Sequence, residues 1–235
     1  MPDIKSGSGP AFLEAIEFLV ERLQMDEDRF IKLAREVDLA ATDRSAGMSD
    51  ALVADLLAEV LKAMEDGTTM EQFRASFDLL IKTHGWTGDN TFGWRSALTF
   101  RAMTAQAMAA GRWRQIERLK ENRPYLRYVT AGDHRVRDAH RAWHNIILPI
   151  DHPWWRTHFP PNGFNCRCHV QQLSERDLLR YKLKVSEAAP PLNPVIKFVK
   201  DKNGLSVPVE VPAGIDPGFA FNAGEIGLGM HHHAA

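Results

Sequence analysis

The 235-residue sequence predicts an α+β fold, and three observations carry that expectation. Apolar residues recur at helical spacing through the first third of the chain. A long stretch from Phe92 to Glu121 contains no proline and is crowded with alanine and arginine. At Pro124 the pattern changes to short segments of alternating polarity, punctuated by Gly, Pro, His and Cys. The expected organisation is a helical domain over 1–123 ending in a long Arg-bearing helix, a small α+β His/Cys module over 124–189, and a linker with a β-hairpin tail over 190–235.

Behind Pro10, the residues Phe12, Ile16, Leu19 and Leu23 place an amphipathic helix over 10–24, and Phe30, Leu33 and Val37 mark a shorter one. Ser49 can cap a third helix with Leu52, Leu56 and Val60 on one stripe and Gly67 as its stop. Thr69-x-x-Gln72 is a capping-box pattern before Phe73, Phe77 and Leu80, and His84-Gly85 ends that helix. On the long helix, Leu98, Ala102, Ala105, Ala109, Arg112, Ile116 and Leu119 fall near one side, where the alanines allow close packing. Tyr125 to Val129 alternates like a strand, Ala131-Gly132-Asp133 turns, and Arg135 to His144 suits a short helix. Asn145 to Asp151 and Cys168 to Leu173 are further strands, and Ser174-x-x-Asp177 caps a brief helix. Pro190, Pro191 and Pro194 mark the linker, after which 195–199 and 205–209 flank Asn203-Gly204 as a hairpin. The hairpin at 195–211 and the Gly-rich end read as a solvent-exposed tail, with a docking arm as the other reading.

Hydrophobic residues at 44% and charged residues at 25% sit at the globular average and exclude wholesale disorder. No apolar run is long enough to span a bilayer, and Met1 to Ser6 lacks the basic start of a signal peptide, so a cytoplasmic protein with no membrane partner is expected. The net charge of −1 conceals a segregation. Residues 1–94 hold 9 Lys/Arg against 18 Asp/Glu, whereas residues 95–141 hold 11 against 4, and ten of those eleven are arginine. Such a chain could meet nucleic acid through its middle, or pair its acidic and basic parts with each other, within the molecule or between proteins. No aromatic-interleaved nucleic-acid motif accompanies the arginines, which favours protein pairing.

Cys166 and Cys168 are the only cysteines, the wrong arithmetic for a disulfide framework but suited to metal ligation. On an extended segment two thiols at i and i+2 point the same way, with Arg167 and His169 pointing the other. His140 and His144, at i and i+4, would stack on a helical turn and could complete a tetrahedral shell, with Asp133 as an oxygen ligand or a partner for an imidazole. A closed site would staple the loop 145–165, which is expected to have little apolar material of its own. The alternative is that the cysteines are small buried hydrophobes and the histidines pack beside Trp143, Trp154 and Trp155. His140-Arg-Ala-Trp-His144 has the two-histidine spacing of a zinc protease, but Arg141 stands where the general-base glutamate belongs. A P-loop, a Rossmann glycine pattern and a Gly-x-Ser-x-Gly elbow are all missing, so no catalytic residue is nominated.

Three blocks together resemble the head-morphogenesis signature of Mu protein F-like phage minor head proteins. They are Tyr125-Leu-Arg-Tyr-Val-Thr-Ala-Gly-Asp133 running on to His140, Leu148-Pro-Ile-Asp-His-Pro153-Trp154, and Pro160-Pro-Asn-Gly-Phe-Asn-Cys166-Arg-Cys168. Gly67 to Phe73, His84-Gly-Trp86, Gly93-Trp-Arg95 and Ala109-Ala-Gly-Arg112 extend the likeness over about residues 10–185. The resemblance implies a virion component of few copies, assembled in the host cytoplasm and placed at the portal vertex or inner capsid surface. Its implied partners are portal and major capsid or scaffold proteins, with packaged double-stranded DNA as a further one. Arg112, Arg114, Arg118, Lys120, Arg123 and Arg127 would then face acidic protein or DNA.

Related proteins carry Cys-x-x-Cys in the first block and a histidine shortly before the terminal Cys-Arg-Cys, where this chain has Arg137 and His140, and Gly163. The resemblance therefore implies a structural zinc site with His140, Cys166 and Cys168 as surviving ligands and Asp133, His144 or water as the fourth. A metal-free site, with the Arg137 cation replacing the ion's charge, is the other option. The competing function is a metal-dependent enzyme carried in the virion, a nuclease or toxin-like transferase.

Overall fold

The computed structural model describes residues 50–66, 70–85, 92–200 and 205–227. The helices expected over 10–24 and around Phe30 lie outside the described residues, as do Ser49, Gly67, Thr69 and the hairpin turn.

Helices α1 (Asp50–Asp66), α2 (Met70–Thr83) and α3 (Phe92–Arg118) pack on one another. Leu52, Leu56 and Val60 on α1 meet the expectation, each fully buried at i, i+4 and i+8. On α2 the buried stripe is Phe73, Phe77 and Ile81, while Leu80 is only half-buried. Gly85 takes φ +63° as the helix stops, the left-handed turn that a residue without Cβ adopts freely. His84 Nε2 lies 2.7 Å from Asp55 and ties the end of α2 back to α1.

At 27 residues, α3 spans about 40 Å. From Arg101 onward its buried side chains are Gln106, Ala107, Ala109, Ala110, Trp113 and Ile116, so Ala109 and Ile116 of the expected stripe face inward while its other members there do not. Arg112 is exposed and Leu119 is 47% exposed. Small residues on several sides leave the periodicity without a preferred face, and Trp113, whose ring buries far more area than a leucine, decides the rotation. Beyond Arg118 the chain turns, with Arg123 N–H bonded to Leu119 O, and Pro124 prevents the helix from resuming.

The module's sheet has the order β2-β1-β3, all antiparallel: β1 (Tyr125–Val129), β2 (Ile147–Pro149) and β3 (His169–Leu173). Leu126 and Tyr128 point into the core from the central strand. β2 is shorter than expected because Asn145 adopts φ +70° before it and Ile150 N–H bonds instead to Pro124 O after it. Short helices α4 (Asp138–Ala142), α5 (Trp155–His158) and α6 (Glu175–Tyr181) complete the module. α6 begins with the expected capping box of Ser174 and Asp177.

The loop 145–165 is not poor in apolar material. Ile147, Leu148, Ile150, Trp154, Trp155 and Phe159 are all buried. Trp143 stands edge-on to Tyr128, Trp154 and His158 at 4.8–5.9 Å and stacks on His140 at 4.9 Å. These edge-to-face contacts suit rings with negative faces and positive rims. The loop therefore carries its own core.

Strands β4 (Pro194–Lys200) and β5 (Ser206–Pro212) pair as the expected hairpin, Val195 opposite Val211 and Val199 opposite Val207. Beyond β5 the described residues, through Gly227, do not form an exposed tail. Ile215, Phe219 and Ala223 are buried, and α7 (Ala223–Gly227) lies on α3, with Gly224 so close to Trp113 that a Cβ would overlap its side chain.

Candidate functional site

Of the five sequence-nominated ligands, the fold brings three together. His140 Nδ1 lies 3.8 Å from Cys166 Sγ and 3.6 Å from Cys168 Sγ, and all three donor atoms fall within 4.8 Å of one another. His140 is held on α4, 2% exposed, by its stack on Trp143. The cysteines approach on the segment leading into β3, with Arg167 between them reaching out to Asp133, as extended backbone requires.

Asp133 and His144 do not join the trio. Asp133 accepts a two-pronged contact from Arg167 at 2.6 and 2.7 Å, which holds its carboxyl down at about 2. The helix expected over 135–144 ends at Ala142, so His144 lies past it, and its Nδ1 accepts a hydrogen bond from Thr130 N–H at 3.1 Å. The i, i+4 stacking of His140 and His144 is lost with that last turn.

His140 Nε2 donates to Gly214 O at 3.0 Å, which turns the Nδ1 lone pair toward the sulfurs, the arrangement found behind metal-ligating histidines. Gly214 has φ +89°, and a Cβ there would run into Ala139 and lie 3.0 Å from the Trp143 ring. Gly214→Ala should therefore cost about 1–3 kcal/mol through left-handed strain and overlap. Chemical denaturation checks this, and an unchanged midpoint would show that the carbonyl reaches His140 without the glycine.

The two thiols share one negative charge. A hydrogen bond from Cys168 draws Cys166 well below the ordinary thiol range, and the same contact together with burial pushes Cys168 up. Behind them, burial pushes the Tyr128 phenol up, and its hydroxyl donates to Asn162 Oδ1 at 2.9 Å. One nitrogen and two sulfurs form a zinc-type donor set, and a tetrahedral site needs about 3.6 Å between N and S donors. The observed spacings fit.

Residues that the sequence did not nominate complete the surroundings. Asp216, from beyond the hairpin, accepts from Arg137 at 2.7 Å and from Phe164 N–H at 3.1 Å. Gly163 leaves room for that pair, since a Cβ would overlap both side chains. No local signal links positions 79 apart, so neither Asp216 nor Gly214 was legible as part of the site. The trio lines a cavity of about 620 Å³.

Of the six basic residues nominated for a partner, Lys120 pairs with Asp151, and Arg123 bonds Gln172 O at 2.7 Å and Asp177 at 2.9 Å. Arg127 bonds Asn145 and Gln171. Arg112 and Arg118 are exposed and Arg114 is half-buried.

His158, stacked on Trp154 at 4.2 Å, is pushed down from 6.5 to about 4 chiefly by burial. The unfolded chain thus binds a proton near pH 6.5 that the folded chain takes up only near pH 4. Stability should fall as pH drops through that window, by about 3 kcal/mol in full. His158→Gln should melt with a flatter pH dependence between 7 and 4; identical slopes for both proteins would contradict this assignment.

Residues 54–171, about half of the chain, match a family described as Phage Mu protein F like protein. The chain is 32% identical over 149 residues to "Putative capsid assembly protein F" of Escherichia phage Mu, covering 57% of this chain and 34% of that protein. It is 31% identical over 137 residues to the Mu-like prophage FluMu F protein of Haemophilus influenzae, covering 54% of this chain and 33% of that protein. It thus spans about a third of the length of these curated relatives. No solved structure matches it. The matched span holds α2, α3, β1 and the His140, Cys166 and Cys168 trio, and with them the chain belongs to the Phage Mu protein F like family.

Proposed function

We propose that this protein is a head assembly component of a tailed phage, structural rather than catalytic. The observation that carries this reading is the 32% identity over 149 residues to a relative named as a putative capsid assembly protein, beside the family match over residues 54–171. The protein acts in the virion, at the capsid interior or portal vertex, after assembly in the host cytoplasm. Portal and major capsid or scaffold proteins are its partners. The acidic first 94 residues and the exposed Arg112 and Arg118 supply surfaces of opposite sign for them. Packaged DNA is the alternative partner for those arginines, and loss of all duplex binding at low salt would remove it.

The module serves as a rigid clamp, with His140, Cys166 and Cys168 as the residues that would hold zinc. Zinc bound there would cross-link α4 to the segment entering β3. Among the described residues no carboxylate lines the cavity beside the trio. The test is removal of this protein from a phage that produces it. DNA-filled heads should disappear from lysates viewed by electron microscopy, and a normal yield of infectious particles would overturn the reading.

A further inference from the structure

The cavity of about 620 Å³ is bordered by four arginines, Arg101, Arg135, Arg137 and Arg167, and among the described residues by no carboxylate. Two of the four are partly neutralised from outside it, Arg137 by Asp216 and Arg167 by Asp133. Arg101 and Arg135 are exposed, and their guanidinium groups have no side-chain partner among the described residues. Phe164 and Phe219 supply apolar wall, meeting edge to face at 4.9 Å. A volume in the small-molecule range, apolar walls and a few convergent polar groups are the features of a ligand site.

We infer that this cavity binds a phosphate-bearing small molecule of mononucleotide size. Its phosphate is held by Arg101, Arg135 and the remaining N–H groups of Arg137, and its apolar body lies toward Phe164 and Phe219. Phosphate is favoured over carboxylate by valence. One guanidinium fork satisfies a carboxylate, whereas several convergent arginines match an anion with up to two charges and three terminal oxygens. Binding of this kind needs no metal.

Calorimetric titration of the full chain at low ionic strength tests it, with adenosine 5′-monophosphate, adenosine and inorganic phosphate as probes. The monophosphate should bind, adenosine should bind about tenfold or more weakly, and inorganic phosphate should compete. The double variant Arg101→Ala/Arg135→Ala should lose about tenfold or more in monophosphate affinity. Its melting should stay within about 2 °C of the parent, since both side chains are exposed. Should that variant unfold, competition by inorganic phosphate in the unmodified chain remains decisive. Equal binding of adenosine and its monophosphate, no heat with any probe, or an undiminished folded double variant would overturn the inference. A random DNA duplex bound through the same two arginines without monophosphate binding would replace it with a nucleic-acid surface.

Discussion

Trp113→Ala should lower the melting temperature by roughly 6–20 °C. The side chain is 2% exposed, meets Phe159 edge-on at 5.0 Å and lies against Gly224. Truncating a buried tryptophan costs about 3–5 kcal/mol, and each kcal/mol is worth about 2–4 °C in a chain of this size. The effect is large because one ring joins three parts of the chain: the long helix α3, the loop around Phe159 and the returning C-terminal helix α7. Trp113→Phe is the informative control. The buried indole Nε1 has no hydrogen-bond partner among the described residues, so phenylalanine removes an unsatisfied donor while keeping most of the apolar area. Its loss should be clearly smaller. Differential scanning calorimetry reads both, and an alanine variant melting within 2 °C of the parent would mean that these three parts do not share a core.

Chelation should have the second large effect. Chain purified without chelator should contain about one equivalent of zinc, and its melting should fall on chelation, by about 3 kcal/mol if free zinc had stood at a hundred times its dissociation constant. Cys166→Ser/Cys168→Ser should melt at the lower temperature with or without chelator. The loss stops short of complete unfolding because the loop 145–165 buries Trp154, Trp155 and Phe159 on its own account, unlike small metal-dependent domains that lack a core. Metal-free protein with chelator-independent melting would leave the trio as a thiol pair hydrogen-bonded to His140.

Local chemistry makes much of this arrangement legible. Leu52, Leu56 and Val60 announce one buried helical face, and Ser174 with Asp177 announces a capped helix; each signal is complete within one or two turns. That Cys166 and Cys168 share a side is also expected, because sulfurs at i and i+2 on extended backbone point the same way, whereas the choice of His140 over His144 came only from the family resemblance. Local spacing fails where the choice depends on something far along the chain. Whether Arg112 or Trp113 faces inward on α3 is settled by Phe159 and Gly224, not by the helix's own spacing. His144 could join the trio only on a helix running past Ala142, and the turn there instead hands its ring to Thr130.

What the sequence by itself determined is the kind and order of the elements, their caps, the charge segregation, and the family its motif blocks resemble, since periodicity, turn chemistry and motif spacing are written in neighbouring residues. Only the tertiary structure decided which face of α3 is buried, that residues 211–224 return to the core, and that Gly214 and Asp216 close around His140 and Arg137. Those outcomes are contests between distant surfaces for the same buried volume. Close packing resolves them by shape and area, and no short window of sequence contains both competitors.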